Sequence, residues 1–215
     1  MQWSLYIKIA GVGVIALGLC AQPPAPVNEN AGLPPRAAPS DYQKQARAGA
    51  VTIAAEFAGH GVPTPEGVLS TEDYVVVEAA FYGPPEARLR LSFSDFSLRI
   101  NGKKTPTPAE YYERVVRSVK DPDWTPPEKQ DKKSSFSTGG GGGGGDAAPA
   151  PPKAPPELQR AWTQRVKKAS LTEGDRPLPQ AGLLYFSYGG KVKSIRSVEL
   201  IYSGPAGSAT LELEP

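Results

Sequence analysis

The chain has 215 residues, among them 24 prolines and 23 glycines, and a net charge of +2 from 24 basic and 22 acidic side chains. Proline and glycine make up about a fifth of it, above ordinary usage, so the length suits one domain plus much chain outside any core. So even a charge balance excludes an argument for nucleic-acid binding from electrostatics alone, and one cysteine and one histidine exclude an internal disulfide and the usual zinc-binding sets.

Residues 1–21 read as a secretory signal peptide. Lys8 supplies the positive charge, Ile9 to Leu19 is an unbroken apolar run, and Cys20 and Ala21 are small residues suited to cleavage. The run is shorter than the ~20 apolar residues that span a bilayer, and an uncleaved anchor starting at Leu5 would bury Lys8. Leu17-Gly18-Leu19-Cys20 is similar to a bacterial lipoprotein box, with Leu19 where that box carries a small residue. Cys20 therefore has two readings, a lipidation site or a residue of an ordinary cleavage site. The Pro/Ala-rich segment 22–48 is expected to be an extended tether.

From residue 49 the pattern turns to strands. Val51, Ile53, Ala55 and Phe57 alternate with polar or small residues, a period of two. Val62 to Thr71, with two prolines, reads as a loop. Tyr74 to Tyr82 lacks clean alternation, which suits a strand buried on both faces. Ala87 to Phe93 alternates strictly, and the apolar phase then slips by one residue to Phe96, Leu98 and Ile100, so Ser94-Asp95 marks a bulge or a crossing between sheets. Asn101-Gly102 is a turn signal.

Thr107-Pro108-Ala109-Glu110 has the form of a helix capping box, with Tyr111, Val115 and Val119 following on one face. Residues 125–156 are low in complexity, with seven consecutive glycines (Gly139 to Gly145), and are expected to be disordered. A second helix is expected over 157–170, with Leu158, Ala161, Trp162, Val166 and Ala169 as its apolar stripe. Leu183 to Tyr188, a hairpin turn at Gly189-Gly190, Ser194 to Tyr202, and Ala209 to Leu213 complete a β-meander. About seven strands with turn signals predict a mainly β protein, an immunoglobulin-like two-sheet sandwich over 49–214. A helical and disordered insertion at 103–180 interrupts it between the fourth and fifth strands.

Tyr74–Phe81, Leu89–Phe93, Ser94-Asp95-Phe96-Ser97-Leu98, Asn101-Gly102-Lys103, Gly182-Leu183-Leu184-Tyr185-Phe186 and Glu199-Leu200-Ile201-Tyr202 resemble segments of bacterial extracytoplasmic immunoglobulin-like domains of unknown function. The resemblance covers residues 50–102 and 181–214 and implies fold and an exported location. It carries no catalytic residues. The long insertion departs from it.

Signals for chemistry are sparse. His60 stands between two glycines in a loop, with no partner base or orienting group identifiable. No nucleophile elbow and no His-Glu-x-x-His occurs. The glycine tract lacks the Lys-Ser/Thr of a phosphate loop and reads as a linker. Asp121 and Asp123 flank a proline at a helix end, too few oxygen ligands for calcium. The surviving feature is basic: Arg88, Arg90 and Arg99 on an outward strand face, with Lys191, Lys193 and Arg196 around the late hairpin. Such a face suits an anionic envelope polymer or lipid head group, and the competing reading is a solvated surface balanced by glutamates.

The expectation is a non-enzymatic binding or accessory module, exported to the periplasm, cell envelope or exterior, without cofactor or metal. Its partner would be an envelope protein or an anionic envelope polymer, not a nucleic acid, and it would touch a membrane only through its leader or a lipid on Cys20. A structural spacer in an envelope assembly is the alternative, and a hydrolase with an unrecognised site a further one.

Overall fold

The computed structural model describes residues 32–125 and 154–215. The expected signal peptide, Cys20 and the polyglycine tract lie outside them. No helix among the described residues is long and apolar enough to cross a membrane.

In chain order, β1 (Lys44–Ala48), β2 (Val51–Gly59), β3 (Gly61–Thr64), β4 (Gly67–Thr71), β5 (Tyr74–Tyr82), β6 (Arg88–Leu91), β7 (Phe96–Ile100) and β8 (Thr107–Glu110) lead into a one-turn helix α1 (Tyr112–Val115) and β9 (Val119–Lys120). Then come α2 (Pro156–Ala169), β10 (Gly174–Pro177), β11 (Gln180–Ser187), β12 (Val198–Gly204) and β13 (Gly207–Leu213). The protein is mainly β. Its main sheet runs β1-β2-β5-β11-β8-β7-β12-β13, antiparallel throughout.

The two ends of that sheet meet. β1 lies along β13; Gln43 Nε2 donates to the Glu214 carbonyl at 2.8 Å and Lys44 pairs with the Glu214 carboxylate at 2.9 Å. The sheet is thus curled into a nearly closed barrel, and its edge strands cover one another instead of offering open ladders. Inward-facing residues fill the barrel, among them Ile53, Leu98, Phe186 and Leu200. The rings of Phe81, Phe96 and Tyr202 meet with centroids 5.2 to 6.3 Å apart in tilted or edge-on contacts, each pair contributing about 1 kcal/mol beyond its buried area.

The expected double burial of Tyr74 to Tyr82 holds, and β11 shares it. Val75, Val77 and Phe81 point into the barrel, while Val76 points outward beneath α2 with Leu183 and Tyr185. Trp162, Val166 and Ala169, at helical spacing on α2, cover them, flanked by Val62 of β3 and Leu69 of β4. Trp162 therefore closes an open face of the sheet. Beside this layer runs a stripe of small outward residues, Ala54, Ala80 and Ala181, on which Tyr42 lies. Gly32 crosses β11 so closely, at φ +69°, that a Cβ there would collide with the Ala181 carbonyl oxygen. Arg36 pins this strap: its guanidinium pairs with Glu56 on β2 and, at 3.1 Å, with Glu78 on β5, and lies 4.3 Å above the Tyr42 ring.

Five expectations are corrected. The expected tether, 22–48, contains an ordered strap and strand β1 over its described part, because β2 offers β1 a five-residue ladder and the alanine stripe accepts the strap. Thr107–Glu110 is strand, not the start of a helix: Pro108 and Thr107 pair with β7, and Ala109 and Glu110 with β11. A two-sided pairing site outweighs a local capping signal, and only the single turn of α1 follows. Gly189-Gly190 is not a hairpin turn, since β8 and β7 stand between β11 and β12. Val62 to Thr71 is a β-hairpin, not a loop. In place of about seven strands in two sheets, the described residues form thirteen strands, eight of them in one continuous sheet. The phase slip at Ser94-Asp95 is a crossing: a 3-10 turn, Phe93–Asp95, carries the chain from the β6–β10 pair into the barrel.

The buried phenol of Tyr185 meets Ser170 Oγ at 3.1 Å. Burial pushes its ionisation far above the ordinary tyrosine range, against a weaker opposing pull from the Ser170 hydrogen bond. The unfolded chain ionises near pH 10 while the folded one holds the proton, so stability is intact below about pH 10 and falls as pH rises beyond it. Tyr185→Phe is expected to cost about 1 kcal/mol at neutral pH and to flatten, without abolishing, the alkaline decline, because burial raises Tyr42 and Tyr202 as well. Urea midpoints from neutral pH upward measure both effects.

Candidate functional site

The connection between β11 and β12, residues 188–197, crosses the end of the barrel. Its chemistry alternates with its geometry. Ile195 enters the barrel core and Val192 packs on Gly59, whereas Lys191, Lys193 and Arg196 are exposed. A 3-10 turn, Val192–Ser194, is closed by Ile195 N donating to the Val192 carbonyl at 2.8 Å. The segment is a cap with apolar residues inward and cations outward.

A second turn is stitched to it. Asn101 and Gly102 follow β7 with φ of 53° and 65°, the left-handed conformation that asparagine and glycine tolerate best. Lys103 N donates to the Ile100 carbonyl at 3.2 Å. Asn101 Oδ1 accepts from Arg196 N at 2.6 Å and Ser197 N at 3.3 Å, and its Nδ2 donates to the Ser194 carbonyl at 3.1 Å. The backbone adds Asn101 N to the Ser197 carbonyl at 2.9 Å. Exposed Lys103 and Lys104 are thereby brought to the end of the barrel that carries Lys191, Lys193 and Arg196.

These five cations have no ion-pair partner among the described residues. The other three residues of the expected basic face separate from them. Arg99 lies on β7 and pairs with Glu199 of β12 at 2.7 Å. Arg88 and Arg90 sit on β6, before the turn that feeds the opposite end of β7, and Arg88 pairs with Asp175 of β10 at 2.6 Å. Reading the sequence by strand faces grouped Arg88 with Arg99 and missed Lys103 and Lys104. The available signal was the Asn101-Gly102 turn followed directly by two lysines. That the turn meets the 188–197 segment is a long-range contact with no local trace.

Beside the cap lies an open groove of about 520 Å³ lined by Asp73, Tyr74, Arg114, Arg117 and Ser118. Tyr188 N donates to the Asp73 carbonyl at 2.8 Å, so groove and cap adjoin. Arg114 is held by Glu110 at 3.3 Å, and Arg117 is exposed. Nearby, the Lys120 ammonium hydrogen-bonds Glu72 at 2.7 Å and holds its carboxyl below the ordinary range. Among the described residues no three His, Cys, Asp or Glu side chains gather as metal ligands.

The site depends on Asn101. Asn101→Ala is expected to lower stability by about 2 kcal/mol, through lost side-chain hydrogen bonds and an alanine forced to positive φ. Asn101→Gly, which keeps the backbone geometry, should cost clearly less. Denaturant midpoints of the two variants measure the difference. Comparison of the chain with known proteins found no matching family model, no matching curated protein and no matching solved structure.

Proposed function

We propose that this is a non-enzymatic binding module of the cell envelope or exterior, which holds an anionic polymer against the basic end of its barrel. The observation that carries the reading is the set of five cations without an ion-pair partner among the described residues, Lys103, Lys104, Lys191, Lys193 and Arg196, on two turns tied together by Asn101. Cations on fixed turns meet a polyanion with less ordering cost than cations on a loose loop. Arg117 in the adjoining groove extends the same charge. The arcs β1-β2-β5-β11 and β7-β12-β13 would be the two sheets of an immunoglobulin-like sandwich, joined along one side by β8, in keeping with the resemblance to extracytoplasmic domains.

Binding to a long-chain polyphosphate or polyuronate, followed by fluorescence anisotropy across a salt series, tests the reading. The double variant Lys193→Glu/Arg196→Glu is expected to weaken binding about tenfold or more and to flatten the salt dependence. Arg88→Glu/Arg90→Glu, at the other end of the molecule, should leave it unchanged. Equal losses in both, or no binding by the wild type at low salt, would sink the proposal.

Export rests on the sequence of residues 1–21. Intact mass of the protein from membrane and soluble fractions is expected to show a chain starting at Cys20 with added acyl groups, or at Ala21 or Gln22 without them. A chain that keeps Met1 in both fractions contradicts export through a cleaved leader.

A further inference from the structure

His60 sits where β2 leaves its regular register on β5, after Gly59 at φ +61°. Half-buried there, it faces two backbone carbonyls on different parts of the fold. Its Nδ1 lies 2.6 Å from the carbonyl oxygen of Tyr74, at the start of β5, and its Nε2 lies 2.8 Å from that of Gly190, in the cap. A carbonyl oxygen only accepts. Neutral imidazole has one N–H and one lone pair, so it satisfies one of these oxygens and turns its lone pair on the other. The doubly protonated ring donates to both.

We infer that His60 is a proton-operated clasp that fixes the cap, and with it Lys191, Lys193 and Arg196, to the barrel wall. Charged and polar groups of both signs face His60. From the β4–β5 turn, Glu72 interacts electrostatically with His60, although Lys120 of β9 shares that carboxylate at 2.7 Å. Asp73 and the Tyr74 phenol come from the same turn and strand. The cap contributes the Tyr188 ring, stacked on the imidazole at 6.3 Å, and the opposing charges of Lys191 and Lys193. A Cβ at Gly190 would meet the Tyr188 ring, so glycine lets that ring lie against the turn whose carbonyl His60 uses. Loss of the second proton leaves a carbonyl opposite a lone pair, and the cap loosens at Gly190. The doubly protonated ring closes the clasp and the neutral ring opens it. The consequence for polyanion binding rests on the function proposed above.

His60 is the one histidine of the chain, so its ring signals are unambiguous in ¹H–¹⁵N spectra of the full chain. Titrating from about pH 8 to about pH 5 covers the range in which histidine gains its charge. The expected result is a ring with both nitrogens protonated at the acid end, and amides of Lys191 and Val75, which follow the two carbonyls, moving in step with the ring. His60→Ala should abolish that response and speed cap amide exchange about tenfold, the equivalent of one charge-assisted hydrogen bond. A ring still singly protonated at the acid end, or cap amides indifferent to its titration, overturns the clasp without need of a variant. In the second arm, polyphosphate affinity at fixed ionic strength is expected to rise several-fold, up to about tenfold, from about pH 7.5 to about pH 5.5 in the wild type and to stay flat in His60→Ala. Cap amides that follow the ring in a protein that binds no polyphosphate at either pH would retain the clasp and overturn the polymer-binding function.

Discussion

The outward faces of β5 and β11 bury apolar residues of their own, and most of the architecture answers to that. A barrel sheet with one wet face would need only its interior filled. Here Val76, Leu183 and Tyr185 demand a cover, and α2 supplies it with Trp162, Val166 and Ala169. The stripe Ala54, Ala80, Ala181 demands a thinner one, and the strap from Gly32 to Tyr42 fits because those side chains are single methyl groups. At Gly182, too, backbone passes close: a Cβ there would collide with Leu171, whose N–H donates to the Leu183 carbonyl as the chain leaves α2 for β10. Small residues on the strands let backbone pass close, and large ones on α2 fill the space where it does not.

The covered wall also determines where polar chemistry can sit. Arg36 spans Glu56 and Glu78 and is consumed in holding the strap. Arg88 and Arg99 are neutralised by cross-strand acids. Five cations with no ion-pair partner among the described residues gather at one end of the barrel, where the chain crosses from β11 over β8 and β7 to reach β12. A crossing segment has to plug the barrel and still face water, which the alternation of Val192 and Ile195 with Lys191, Lys193 and Arg196 achieves. The plug carries three of the five cations of the basic surface, so whatever fixes the plug also fixes their charge. Asn101 fixes one side of it and His60 the other.

Within the sequence, the strands that alternate or run fully apolar were legible, because hydrophobic period depends on burial and burial is local to a strand. Tyr74 to Tyr82 announced its two buried faces, the phase slip at Ser94-Asp95 announced a change of sheet, and the stripe of α2 announced a packed helix. β8 was misread because Thr107-Pro108-Ala109-Glu110 has a helix-start composition, and only the gap between β7 and β11 makes it a strand. β1 hid inside an apparent tether because Lys44 to Ala48 has one buried residue, at Ala48, and draws its order from the ladder of β2.

By itself, then, the sequence determined that this is a mainly β protein, which runs pack on two faces, and that Lys191, Lys193 and Arg196 would be exposed near a turn. Each follows from side-chain polarity over a few neighbouring residues. The tertiary structure alone decided that the strands curl into one nearly closed sheet, that β11 and β12 are not neighbours, that Lys103 and Lys104 join the basic end while Arg88 and Arg90 leave it, and that His60 lies between two carbonyls. Those outcomes rest on contacts across 14 to 130 positions of chain, such as His60 with Tyr74 and Gly190. A pairing at that separation is selected by the packing of the whole barrel, and no local pattern of residues encodes it.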